Sequence, residues 1–171
     1  AVDVPVSADL ENGFADDPSD VAETVRLALD AGLAGCSIED YAGREQDTIY
    51  DAGPARERVE AAAEAAHSGD RRLVLTARAE NLIHGRDDMA DTISRLQSFQ
   101  EAGADVLFAP GVRELSDVRE LTSSVDLPVN VLVLPGMPSA SVGTIAPPTA
   151  ALFAASGPAT PSIAPLPNCA L

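Results

Sequence analysis

Apolar and polar positions along the chain switch between two periods. Short, nearly continuous apolar runs at 4–10, 33–39, 72–79, 104–109 and 128–134 have the length of strands covered on both faces. Between them lie segments with helical signals. Asp17-Pro18-Ser19-Asp20 opens one: Asp17 or Ser19 can cap it, Pro18 suits the first turn and Glu23 follows. Val21, Val25, Leu27 and Leu29 carry that helix towards Ala31, and Gly32 stops it. Pro54 opens a second, running through Val59 to Ala66 and closed by His67-Ser68-Gly69. Asp87 to Ala102 sets Met89, Ile93, Leu96 and Phe99 at helical spacing before Gly103, and Ser116 to Ser123 makes a fourth helix. Tyr41 to Gly53 reads as a polar loop.

Strand and helix therefore alternate five strands deep, which predicts an α/β fold with parallel strands and right-handed crossovers. An open doubly wound sheet and a (β/α)8 barrel both fit. No Gly-rich dinucleotide loop follows the first strand, and polar residues stand at the C-terminal end of every strand, which favours the barrel. Five βα units do not close one, so the expectation is a partial TIM barrel over 1–136. Residues 137–171 read as a separate Ala/Pro-rich tail: from Leu127 to Leu171 there is no charged residue. Such sequence is expected to be irregular, or out of its native frame from shortly after Gly136. The chain begins without Met, directly at a strand, and so reads as an excised piece.

Charge and composition narrow the functions. The formal net charge of -16 repels nucleic acid and anionic membranes, so neither is an expected partner. All eleven basic residues are Arg; without Lys there is no Schiff-base, P-loop or general-base lysine. The two cysteines, Cys36 and Cys169, lack metal-ligand spacing, and Cys36 reads as a small core residue. No leader or membrane-spanning run is visible, and the default expectation is a cytoplasmic protein.

Alternation along the strands sorts the candidate chemistry. Ser7, Asp9 and Glu11 share one face of the first strand, Gly35, Ser37 and Glu39 of the second, Thr76, Arg78 and Glu80 of the third. In a barrel this set points inward at the C-terminal mouth. Carboxylates gathered there repel one another unless a cation intervenes, and oxygen donors suit Mg²⁺ or Mn²⁺; Asp9, Glu11 and Glu39 are the candidate metal residues. Arg78 offers a planar fork for a substrate carboxylate or phosphoryl group. Glu80 and Asn81 either support the substrate site or cap the next helix. Asn130, an amide inside a strand, either lines the mouth or makes a structural hydrogen bond. The alternative for Arg78 is a structural salt bridge to Glu80 or Asp40; His84 reads as a surface-loop residue, and His67 as a helix-end residue.

Five motifs in order, Ser-Ala-Asp-Leu-Glu-Asn-Gly-Phe (7–14), Ala-Gly-Cys-Ser-Ile-Glu-Asp (34–40), Thr-Ala-Arg-Ala-Glu-Asn (76–81), Ala-Gly-Ala-Asp-Val-Leu-Phe-Ala-Pro-Gly (102–111) and Pro-Val-Asn-Val-Leu (128–132), resemble the isocitrate lyase / phosphoenolpyruvate mutase superfamily. The resemblance implies a (β/α)8 barrel that binds Mg²⁺ at its mouth and cleaves or rearranges a C–C or P–C bond of a small 2-oxo acid through an enolate. By resemblance, Asp9, Glu11 and Glu39 correspond to the metal-site acids, Arg78 to the catalytic arginine that grips a small carboxylic-acid substrate, and the full-length proteins are homo-oligomers. Lyases of this family carry a Cys-Gly-His loop, whereas residues 41–50 here contain neither Cys nor His. That departure points to 2-oxo acid decarboxylase or hydrolase chemistry, with Arg44 standing where the mutases use a Lys. The alternative is a non-catalytic, truncated remnant of such an enzyme.

Overall fold

The structure is a computed structural model that describes residues 2–43, 48–133 and 150–154. It is one parallel sheet with strand order β1-β2-β3-β4-β5-β6, curled into part of a barrel, with a helix between each pair of successive strands from β1 to β5. The elements are β1 (Ser7–Asp9), α1 (Pro18–Asp30), β2 (Gly35–Glu39), α2 (Ala52–His67), β3 (Val74–Arg78), α3 (Met89–Glu101), β4 (Val106–Phe108), α4 (Leu115–Ser124), β5 (Val129–Val133) and β6 (Ala150–Ala154). The expected alternation is present. The five expected strands, β1 to β5, are all there, and a further short apolar run, Ala-Ala-Leu-Phe-Ala, pairs with β5 from Val129↔Ala150 to Val133↔Ala154. In the sequence the nearest prolines, at 147, 148 and 158, fall outside this run, so none interrupts its ladder. Arg44 and the rest of the tail, Cys169 included, lie outside the described residues.

Local chemistry accounts for the helix starts. Asp17 caps α1, its carboxylate accepting from the Ser19 amide at 2.8 Å, and Pro18 occupies the first turn. Asp88 caps α3 by accepting from the Asp91 amide at 2.9 Å. Helix α2 starts at Ala52, two residues before Pro54, which its first turn tolerates.

The core lies between the outer face of the sheet and the helices. Cys36, Ile38, Leu75, Ala77, Leu107, Val129 and Val131 project outward and are buried against residues such as Val59, Leu96 and Phe99. Cys36 is a core residue, as expected, its thiol pushed up to about 12 by burial and secondarily by Asp105. The alanines of α2 do more than favour a helix: Ala55, Ala62, Ala63, Ala65 and Ala66 are buried and let neighbouring elements pack closely.

The inner face is different. Register places Asp9 beside Ser37, Ser37 beside Thr76 and Thr76 beside Val106. One pleat nearer the mouth runs the row Glu39, Arg78, Phe108 and Asn130. Beyond the exposed Asp9, these inward residues are half-buried. At the opposite, N-terminal end, the Asp105 carboxylate accepts from the Leu75 amide at 2.9 Å, lies 2.9 Å from His67 Nε2 and takes a hydrogen bond from Arg72. Among the described residues no helix is long and apolar enough to cross a membrane.

Candidate functional site

The C-terminal ends of β1, β2 and β3 bring Asp9, Glu39 and Arg78 together, as their shared face requires. Arg78 is the hub. Its Nη1 donates to Asp9 Oδ2 at 2.7 Å, its Nε donates to Glu80 Oε1 at 2.8 Å, and its Nη2 lies 3.1 Å from Glu39 Oε2. The guanidinium carbon also sits 5.6 Å from the centre of the Phe108 ring. Burial alone would lower the Arg78 guanidinium, but Glu80, Glu39 and Asp9 together raise it above its ordinary value.

The carboxylates differ in environment. Glu39 is pushed up to about 7, chiefly by burial; Glu80, Asp9 and Glu11 add to the shift and Arg78 opposes it. Burial also raises Asp9, but Arg78, the Glu11 amide and the Ser37 hydroxyl outweigh it and hold that carboxyl below the usual range. Glu11 follows in a strained turn, with φ of 49° at Glu11, 77° at Gly13 and 56° at Phe14. Buried Arg58 holds this turn from behind, donating to the carbonyls of Asn12 and Asp16 and lying 4.3 Å from the centre of the Tyr50 ring. Tyr50 in turn hydrogen-bonds Asp16 and receives from Asn12 Nδ2 at 3.3 Å.

Among the described residues no group of three or more His, Cys, Asp or Glu side chains is arranged to hold a metal ion. Asp9, Glu39 and Glu80 close on the guanidinium, and Glu11 reaches Glu39 through its backbone carbonyl, which accepts from the Glu39 amide at 3.0 Å. The side chains are nonetheless oxygen donors, the type that a hard divalent cation takes. Asp9, Glu39 and Glu80 share one guanidinium, and Glu39 stays raised, by burial first and by the neighbouring carboxylates after it.

The remaining expected residues fall in distinct places. Glu80 is 3% exposed and faces Arg78 with one oxygen and, at 3.8 Å, His84 Nε2 with the other. His84 stacks on Tyr41, the ring centres 3.8 Å apart, so it is tied to the mouth loops. Asn81 is fully buried and donates to Asp91 Oδ2 at 2.6 Å. Asn130 lies on the inner face beside a cavity of about 200 Å³ lined with Phe108, Val131 and Leu132, and its Oδ1 has no hydrogen-bond partner among the described residues.

Sequence reasoning missed a buried layer beneath the mouth. Asp40 pairs with Arg95 of α3 at 3.1 Å, and not with Arg78. Its second oxygen accepts from the Glu80 amide at 2.8 Å. Arg95 also donates to Asp91 Oδ2 at 2.9 Å and to the Tyr50 carbonyl at 2.7 Å. The Asp91/Arg95 spacing of four was the available signal, but such pairs usually lie on a solvated face.

Comparison with known proteins bears on this geometry. A family model described as phosphoenolpyruvate phosphomutase matches residues 1–163. The 2-methylisocitrate lyase of Escherichia coli (strain K12) is 32% identical over 133 residues, covering 74% of this chain and 43% of that protein. A solved Burkholderia cenocepacia J2315 protein, described as a lyase/mutase, is 47% identical with a TM-score of 0.78, covering 83% of this chain and 51% of that one. A phosphonopyruvate hydrolase solved with oxalate and Mg²⁺ has a TM-score of 0.67 at 24% identity, covering 77% of this chain and 46% of that one, and so shares the fold. The chain spans about half the length of the curated relatives it matches.

Proposed function

The chain belongs to the phosphoenolpyruvate phosphomutase family, whose members include lyases and mutases of small oxo acids, and from that premise we propose that its mouth binds a small 2-oxo acid for enolate-forming C–C or P–C bond cleavage. The observation that carries this reading is the Arg78 fork, shared among Asp9, Glu39 and Glu80 on a face open to ligand. Asp9, Glu11 and Glu39 would hold Mg²⁺ or Mn²⁺, directly or through water. When bound, such a cation supplies Lewis-acid stabilisation of the enolate oxygen that develops as the bond breaks.

The protein's own groups do the rest. Arg78 releases Asp9 or Glu39 to take the substrate carboxylate in its fork, while Glu80, buried behind it, keeps the guanidinium plane in place. Phe108 closes one side of the fork against water. Decarboxylation or hydrolysis is the favoured chemistry within the family, because residues 41–50 have neither Cys nor His to protonate a lyase product. A second reading, a non-catalytic remnant, is supported by the half-buried inner face, which leaves the mouth less enclosed than catalysis of this kind requires.

Oxalate, a mimic of the pyruvate enolate, separates the two. Calorimetric titration of this chain is expected to show oxalate binding with Mg²⁺ and none with a chelator. Arg78→Lys keeps the charge but loses the fork, and is expected to weaken binding about tenfold or more. Absence of Mg²⁺-dependent binding overturns the catalytic reading and leaves the remnant.

A further inference from the structure

Arg78 is oriented by Glu80, yet Glu80 is the second residue beyond β3 and needs its own support. The structure supplies it from one side. The Glu80 amide donates to Asp40 Oδ1 at 2.8 Å, and Asp40 is 2% exposed. The other Asp40 oxygen meets Arg95 Nη1 at 3.1 Å, and Arg95 is 5% exposed. The same Nη1 donates to the Tyr50 carbonyl at 2.7 Å, while Nε is held by Asp91 Oδ2 at 2.9 Å. Tyr50 closes the loop that leaves β2: its amide donates to the Asp40 carbonyl at 2.8 Å, and one step inside, Tyr41 and Ile49 form an antiparallel bridge. The Asp40 amide itself donates to the Arg78 carbonyl at 3.2 Å. One buried guanidinium thus touches both ends of the β2 loop and, through one carboxylate, the backbone of the clamp strand.

We infer that Arg95, acting through Asp40, is a positioning residue that ties the base of the 41–50 loop to Glu80 and thereby fixes the direction of the Arg78 fork. Such a group costs far more to lose than a surface pair. Removing Arg95 leaves Asp40 buried without its counter-charge, and the Tyr50 carbonyl loses its donor. Asp40 then turns to other donors, and the Glu80 amide moves with it. A shift of a few tenths of an ångström at Glu80 is enough to re-aim a bidentate contact. Supporting residues of this kind typically change affinity at the site they serve by 10–100-fold without touching the ligand.

The inference rests on the reading of Arg78 as the clamp, and the test keeps the two apart. In ¹⁵N-labelled protein the Arg78 Nε–H resonance reports its bond to Glu80 with no ligand present. Arg95→Gln is expected to move that resonance and to weaken Mg²⁺-dependent oxalate binding about tenfold. Phe99→Leu, a core change on the same helix, is expected to lower stability and leave the resonance in place. If Arg95→Gln does not fold, Asp40→Asn replaces it, since the amide still accepts from Glu80 but holds Arg95 less tightly. A folded variant with an unmoved Arg78 resonance, or an equal movement in Phe99→Leu, overturns the inference. Failure of the wild-type chain to bind oxalate overturns the functional reading, and the resonance still decides the role of Arg95.

Discussion

Single residues here are set by their neighbours more than by their type. Asp9, Glu39, Asp40 and Asp105 are all carboxylates at or near strand ends, yet burial pushes Glu39 to about 7 and Asp40 to about 6, while the Arg78 charge and hydrogen bonds hold Asp9 low and hydrogen bonds hold Asp105 low. Asp105 gives the clearest pH consequence because it lies far from the mouth. Burial opposes its charge, but the Leu75 amide, His67 and Arg72 prevail and lower it below 3.8. A carboxyl lowered on folding stabilises above its unfolded value, and that stability is lost as pH falls through the folded value. Asp105→Asn is therefore expected to unfold about 2 kcal/mol more easily than wild type at pH 7, given charged hydrogen bonds of that size. The gap should close as pH falls below about 4. Urea unfolding of both proteins across pH 2.5–7 checks this. A gap that stays constant in acid removes the ion-pair explanation.

Elements were easier to read than the contacts between them. Alternating apolar runs exposed the strands, and the period of two put Asp9, Glu39 and Arg78 on one face, where register pairs Glu39 with Arg78 and the Arg78 side chain reaches Asp9 from one pleat away. Arg95 and Arg58 escaped notice because a helix pattern alone cannot tell a solvated arginine from one buried under a loop. The sixth strand escaped because the prolines around Ala150–Ala154 outweighed a five-residue apolar run. Nor does sequence reveal how closely two turns approach. Gly111, with φ of 96°, packs against the turn after β3 so closely that a Cβ there would lie 2.7 Å from the Ile83 amide nitrogen and 2.9 Å from the Leu82 carbonyl carbon. Gly111→Ala combines backbone strain with this clash and is expected to cost about 3 kcal/mol. Chemical denaturation gives the value; a cost under about 0.5 kcal/mol would mean the two turns are not in register.

The whole molecule divides into a dry outer layer and a polar, half-open inner face, and its buried arginines mark the boundary. Since every cationic side chain is Arg, trypsin has eleven sites and no lysines to dilute the pattern. Arg71, Arg72, Arg86 and Arg113 sit exposed in connecting segments, whereas Arg58 and Arg95 are 1% and 5% exposed and the Arg78 side chain 15%. Brief digestion of the folded protein should nick after the first set and spare the bonds after the second. Cleavage at a spared site requires local opening, so its rate measures how often the clamp layer comes apart. Mass spectrometry of the early fragments reads this directly, and early release at Arg78 would show that the clamp opens as readily as a surface loop. The arginines that aim the site thus also act as a built-in gauge of its integrity, readable by a protease before any substrate is known.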